Sequence, residues 1–348
     1  MIDQPDTENI DPEKFCYYPF TQLLLQPTGD ISPCCWNQKI ILGTAPECTL
    51  NEAWNGERLR ALRREFLEGK PTSCRTQMEQ IGCHRWSRRP APSPLNQISF
   101  SERQTAAPRR LDLRLNGKCN LQCVMCDVWK QPNGIFDDSD FWTKGPTEIF
   151  PFLEEIDLLG GEPLIQADTF RLIDAVLSCN TRCSWGFVTN GQYKFSGTIQ
   201  KQLSRLNLRW IQLSLDSVNH ETYAKIRRQG KLERALETLQ ALRHLRASQM
   251  LMKNSTFQLS LSMCVQKLNW QEVGEFLTFA RQASLSVDLQ FAYGPDDVSL
   301  FTLPEPERRA AIRYFEDLES EFSRSQLNPL ILPLKESLGV ESEESARG

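Results

Sequence analysis

The residues in this chain best placed to do chemistry are Cys119, Cys123 and Cys126. They read C-x3-C-x2-C within LDLRLNGKCNLQCVMCDVW, after a strand-like run (111–116) and a turn glycine, Gly117. Thiolates at this spacing reach three corners of one iron–sulfur cubane while the loop wraps it. Three protein ligands for four irons leave one iron open, and an open coordination position marks a catalytic centre rather than a structural one. Zinc is the competing occupant, but it takes four ligands, and no histidine or fourth cysteine stands close by.

The other thiols are unevenly spread. Of 12 cysteines, six (Cys16, Cys34, Cys35, Cys48, Cys74 and Cys83) precede Ser99, which points to a second, N-terminal centre. In a chain of 348 residues so many thiols fit metal ligands better than the disulfide framework of a short secreted domain. Cys179, Cys183 and Cys264 fall at helix ends or in strands and read as core thiols. A net charge of −4 gives no basic surface for nucleic acid. No apolar run approaches the ~20 residues that span a bilayer. The polar, acidic opening from Met1 to Lys14 is no targeting peptide, so the expected location is cytoplasmic.

The elements that must position these residues fall into regions. Residues 1–89 are rich in Cys and Trp, with a strand-like run at 21–26. One helix is expected from near Thr49 (LNEAWNGERLRALRREFLEG), with Leu59, Leu62 and Phe66 on one face and Gly69 as its stop. Residues 90–108 are a Pro-, Ser- and Ala-rich linker. From Arg109, strand-like runs at 111–116, 154–160, 183–190, 209–217, 257–266 and 286–293 alternate with helical stretches at 168–179, 198–207, 231–248 and 269–283. That alternation predicts an α/β fold with a parallel sheet, and six units suit an open, partial barrel. A helical segment is expected over 301–336 and a disordered tail over 337–348.

With the thiol triplet following the first of these strands, residues 109–300 resemble a radical SAM core domain, a partial (β/α)6 barrel. The resemblance implies that the open iron chelates S-adenosyl-L-methionine. Reductive cleavage would then yield a 5′-deoxyadenosyl radical that abstracts hydrogen from a substrate. Gly160-Gly161-Glu162-Pro163 is similar to the family's GGEP element, in which the glycines admit close approach of the cofactor and Glu162 accepts from its amino group. Asn190, in TNG, resembles the ribose-side contact, and Ser214 and Asp216 in LSLDS stand where ribose or carboxylate contacts are expected. Arg227 resembles the arginine that meets the cofactor carboxylate, with Arg228 its competitor. Gln266 and Asn269 fit the fifth strand less specifically. Met125 stands where an aromatic residue often packs on adenine, and its thioether can serve the same contact.

The N-terminal spacing C-x12-G-x4-C, from Cys16 through Gly29 to Cys34, resembles the opening of a SPASM or twitch module placed before the core. That resemblance implies one auxiliary [4Fe–4S] cluster on Cys16, Cys34, Cys74 and Cys83, with Cys35 the alternative to Cys34 and Cys48 a weaker candidate. Cys83 substitutes for the family's second C-x2-C position, which Gln77 occupies, and a four-thiolate zinc knot is the competing reading. The whole resembles maturases of ribosomally synthesised peptides. A precursor peptide is therefore the expected substrate, with backbone splicing (tyramine excision), cross-linking or epimerisation as outcomes. An external electron donor and a small leader-peptide-binding protein of the RRE or PqqD-like kind are the expected partners. Two other readings stand beside it: dehydrogenation or rearrangement of a sugar-like small molecule, and a non-catalytic iron–sulfur redox protein.

Overall fold

The computed structural model describes residues 15–35, 37–74, 98–137 and 140–339. Its contacts divide the chain into two compact units. Unit 1 takes the described parts of Met1–Lys118, Lys130–Gly186 and Arg205–Asn207; unit 2 takes Cys119–Trp129, Phe187–Ser204 and the described part of Leu208–Gly348.

Unit 1 is built on strands β1 (Gln22–Leu25), β2 (Asp30–Ser32), β3 (Gly43–Thr44), β4 (Arg110–Leu113) and β5 (Glu155–Leu158), in the order β3-β2-β1-β4-β5. Strands β1 and β2 form an antiparallel hairpin, with Leu24 opposite Ser32 and Gly29 turning the chain at φ +89°. Strand β1 then pairs parallel with β4 (Gln22 with Arg110, Leu25 with Leu113), and β4 with β5. The Cys-rich N-terminal region thus adds its strands to the sheet that begins the α/β region. Leu23, Leu24, Leu25, Leu111, Leu113 and Ile156 are all buried in this layer. Helix α1 (Tyr18–Thr21) leads from Cys16 into β1, and Cys34 lies just beyond β2.

The helix expected from Thr49 is two helices, α2 (Leu50–Asn55) and α3 (Glu57–Leu67). Gly56 separates them in an extended conformation, serving as C-cap of one and N-cap of the other. Glycine is a poor helix former. The side chains beside it are also drawn off the helix path: Trp54 Nε1 donates to the Ala106 carbonyl at 2.7 Å and Asn55 Nδ2 to that of Gln104 at 2.9 Å. Thr49 caps α2 in a full capping box with Glu52. The chain stops after α3 at Gly69, at φ +68°. Helices α4 (Asp140–Glu148) and α5 (Ala167–Leu177) complete the unit.

Strand β6 (Ser184–Thr189) opens in unit 1 and closes in unit 2. Apart from Arg205–Asn207, which count with unit 1, unit 2 continues with α6 (Gly197–Arg205), β7 (Asn207–Ser214), α7 (His220–Ile226), α8 (Leu232–Lys253), β8 (Gln258–Val265), α9 (Val273–Gln282) and β9 (Ser286–Phe291). Strands β7, β8 and β9 are parallel and in register. On one face, Ile211, Leu213, Leu259, Leu261, Met263, Val265, Leu289 and Phe291 are buried and apolar. The alternate face is polar: Gln212 pairs with Ser260, Ser214 with Ser262, Ser262 with Asp288 and Cys264 with Gln290. A parallel sheet normally buries apolar side chains on both faces. A polar face here, beside an apolar one, is the pattern of strands lining a lumen.

After β9 come α10 (Glu305–Asp317) and α11 (Arg324–Glu336). Among the described residues no helix is long and apolar enough to cross a membrane. Removing the Thr49 hydroxyl strips a cap from α2, so Thr49→Ala is expected to lower stability by about 1 kcal/mol in urea denaturation.

Candidate functional site

The thiol triplet sits on the loop Cys119–Trp129 of unit 2, and backbone bonds hang that loop from the end of α7. Gln122 N donates to the Arg228 carbonyl at 3.2 Å and Val124 N to the Ile226 carbonyl at 3.0 Å. Cys119 and Cys123 are half-buried and Cys126 is exposed. Asn190, at the end of β6, donates Nδ2 to Asn120 Oδ1 at 2.9 Å and lies 3.6 Å from Cys119 Sγ. Its Oδ1 accepts from Gln192 N at 2.8 Å, so this side chain already braces the thiol loop.

Between the ends of α7 and β7 lies a buried ion pair. Arg227 Nη2 stands 2.8 Å from Asp216 Oδ2, with the two side chains 6% and 1% exposed. Asp216 adopts φ +63°, which turns its carboxylate out of the strand path. Its Oδ1 accepts from Cys264 N at 2.8 Å, and Asn269 Nδ2 donates to the carbonyls of Asp216 and Cys264 at 2.8 and 3.1 Å. Burial by itself would lower the Arg227 guanidinium, but Asp216, with Cys123 and Tyr223, outweighs it and holds Arg227 firmly protonated. Arg228, its competitor in the sequence, is exposed. Arg227 Nε is buried with no hydrogen-bond partner among the described residues. Ser214 Oγ accepts from Ser262 Oγ at 3.3 Å on the polar face. Gln266 Nε2 lies 3.8 Å from Met125 Sδ, and Gln266 Oε1 is buried without a partner among the described residues.

Burial pushes the Cys123 thiol up to about 12; Arg227 opposes this, and Asp216, Cys126 and Cys119 add to it. The three thiols therefore share one electrostatic neighbourhood, and in it a lone Cys123 thiolate is disfavoured at neutral pH. Coordination to a cationic metal centre is what deprotonates such thiols, so the donor set fits an iron–sulfur cluster. Cys264, expected as a core thiol, is instead half-buried at the end of β8, on the polar face. Burial first, then Asp216, raises its thiol, and charges on Cys126 and Cys123 add to the shift. Cys183 is buried as expected, whereas Cys179 is exposed.

The glycine-rich element belongs to unit 1. Gly160 adopts φ +103°, and a Cβ on Gly161 would stand 2.0 Å from the Lys118 carbonyl oxygen. The element is thereby pressed against the turn that leads into the thiol loop. Glu162 N donates to the same Lys118 carbonyl at 2.9 Å, and Glu162 Oε1 accepts from Leu164 N at 3.1 Å. The Glu162 side chain is fully buried.

The N-terminal thiols also lie in unit 1. Cys16, Cys34 and Cys74 are buried, whereas Cys35 and Cys48 are half-buried. Each buried sulfur faces an N–H donor: Tyr18 N at 3.4 Å from Cys16, Asn37 N at 3.3 Å from Cys34 and Asn37 Nδ2 at 3.5 Å from Cys74. Hydrogen bonds to sulfur are one way a protein stabilises cluster thiolates, so these three fit a second cluster. Asn37 links two of them and carries no sequence signature that singles it out. Cys48 instead lines an open pocket with Leu25, Ile31, Leu50 and Phe141. Cys83 and Gln77 lie outside the described residues.

Comparison with known proteins agrees with this architecture. Residues 113–280 match the profile of the radical SAM superfamily, and residues 16–77 that of SPASM, an iron–sulfur cluster-binding domain. Residues 113–280 thus carry a radical SAM domain, with a SPASM domain on its N-terminal side. GTP 3′,8-cyclase of Marinobacter nauticus is 28% identical over 218 residues, covering 61% of this chain and 61% of that protein. Mycofactocin maturase MftC of Mycolicibacterium smegmatis is 26% identical over 197 residues, covering 55% of this chain and 45% of that one. The chain thus spans about half the length of these relatives. The crystal structure of Streptococcus suis SuiB bound to precursor peptide SuiA matches 72% of this chain and 51% of that one. Its identity is 12% and its TM-score 0.45.

Breaking a buried ion pair by removing one partner leaves an uncompensated charge. Arg227→Met is expected to destabilise the protein by ~3–5 kcal/mol, read as a lower urea midpoint.

Proposed function

We propose that this chain reductively cleaves S-adenosylmethionine at a cluster held by Cys119, Cys123 and Cys126, and uses the resulting radical to modify a ribosomally made precursor peptide. The observation that carries the first part is the thiol loop: Cys119, Cys123 and Cys126 share one short segment, Cys123 is costly to ionise alone, and the loop is braced by Asn190 and by the end of α7. When bound, the cluster and its nucleoside cofactor supply the one-electron chemistry that yields a 5′-deoxyadenosyl radical.

The protein's own part is to hold and orient. Gly160 and Gly161 let the backbone come close to the cofactor, and Glu162 accepts from its amino group. Met125 offers a polarizable face to adenine. Asn190, Ser214 and Asp216 supply the ribose-side and framing polar groups. Arg227, fixed by Asp216, offers its buried Nε to the cofactor carboxylate. The polar face of β7–β9 is the floor on which substrate lies. Cys16, Cys34 and Cys74, with Cys83 as the fourth ligand, hold one auxiliary cluster.

A peptide substrate is supported by the N-terminal SPASM match and by the likeness to a protein named a maturase. Splicing, cross-linking and epimerisation are its possible outcomes, with a leader-peptide-binding protein and an electron donor as partners. The likeness to GTP 3′,8-cyclases favours a second reading, in which the substrate is a small molecule.

The triple substitution Cys119→Ala, Cys123→Ala, Cys126→Ala is expected to abolish formation of 5′-deoxyadenosine under reducing, anaerobic conditions. Continued release of that nucleoside would refute the cluster assignment. Two cubanes imply about eight irons per wild-type chain and about four in the triple variant; iron analysis with a parallel zinc determination checks both figures. Co-expression with a candidate precursor peptide and leader-binding protein is expected to change the peptide's mass. An unchanged peptide beside turnover of a small molecule would favour the second reading.

A further inference from the structure

Arg63, on α3, is a buried charge that no described carboxylate neutralises. Its side chain is fully buried. Nε donates to the Pro19 carbonyl at 2.7 Å, and Nη1 to the Glu102 carbonyl at 3.0 Å and to Asn55 Oδ1 at 3.5 Å. All three acceptors are neutral. The guanidinium carbon lies 4.3 Å from the centroid of the Trp54 ring, and Nη2 has no hydrogen-bond partner among the described residues. Burial pulls the group down to about 9, with no opposing charge. The neighbouring arginines differ: Arg60 and Arg64 both reach the Glu102 carboxylate, at 2.7 Å each. An unpaired buried cation is expensive, and a fold that keeps one has an anion to set against it.

The same face of α3 grips the chain on both sides of Cys16. Arg63 holds the carbonyl of Pro19, three residues after that cysteine. Three residues along the helix, Phe66 lies 5.9 Å, ring to ring, from Phe15, the residue before it. Cys16 itself is 5% exposed.

We propose that Arg63 is the counter-charge of the auxiliary centre, a positioning residue whose cation offsets the negative charge of a thiolate-bound cluster on Cys16, Cys34 and Cys74 and raises its reduction potential. This rests on the reading of that segment as cluster-binding. A cubane with four thiolates is a net anion, and reduction adds one more negative charge. A fixed cation in a medium of low dielectric therefore favours the reduced form over the oxidised one. The Trp54 ring and the three oxygens hold the guanidinium in place without cancelling its charge.

The test uses the full chain with Cys119, Cys123 and Cys126 replaced by Ala, loaded with iron and sulfide anaerobically, so that only the auxiliary centre is observed. Redox titration followed by electron paramagnetic resonance gives its midpoint potential. Arg63→Met is expected to move the midpoint to more negative potential. Arg63→Lys keeps the charge and is expected to restore most of the shift, although it loses the forked hydrogen bonds and melts at lower temperature. A purely structural role predicts lower melting temperatures with an unmoved midpoint, and that result would overturn the proposal. Equal shifts in both variants would overturn it too, because geometry and not charge would then be the cause. If Arg63→Met does not fold, Arg63→Lys decides through pH: its midpoint should fall as the buried lysine loses its proton, and should begin to fall at lower pH than that of the Arg63 protein. A midpoint with the same pH dependence in both proteins is the opposing result. Absence of any auxiliary signal while Arg63 is intact would remove the cluster reading and the inference with it.

Discussion

The buried pair of Asp216 and Arg227 is the constraint on which the rest of the site depends. The carboxylate sits at φ +63°, just past the end of β7, and takes the backbone N–H of Cys264 at the end of β8. The guanidinium closes α7, and the carbonyls on either side of it, Ile226 and Arg228, receive the N–H groups of the thiol loop. One ion pair thus joins two strand ends, a helix end and the loop that carries Cys119, Cys123 and Cys126. In a low-dielectric interior neither charge is tolerable alone, so the four segments are held together or not at all. Asn269 closes the arrangement by bonding the carbonyls of Asp216 and Cys264.

The N-terminal region follows a different logic. Its strands are too short to stand alone, and β1 borrows stability by pairing with β4 in parallel register. That pairing puts Cys16 and Cys34 at the ends of well-anchored elements. Asn37 then reaches two sulfurs at once, and α3 clamps the Cys16 segment through Arg63 and Phe66. The expected linker joins in: Glu102, Gln104 and Ala106 bind side chains of α2 and α3. Its polar composition described its sequence but not its attachment.

Local pattern made much of this legible in advance. The triplet spacing, the GGEP turn and the six strand runs with their intervening helices all depend on residues near one another in sequence. Gly160 and Gly161 were readable for the same reason, because a backbone that must approach another backbone closely demands glycine. The single helix expected after Thr49 missed its break at Gly56, where hydrogen bonds from Trp54 and Asn55 to distant carbonyls decide the path.

The sequence by itself determined the α/β class and the order of the elements, since periodicity and spacing are local properties. Only the tertiary structure decided which of two adjacent, chemically equal residues faces inward. Arg227 is buried against Asp216 while Arg228 is exposed; Arg63 is buried while Arg64 meets Glu102; Cys34 is buried while Cys35 is not. It also moved Cys264 from the expected core to the polar face beside the core thiols. Each of these outcomes turns on a contact made by a residue far along the chain, and no local pattern encodes where such a partner will arrive.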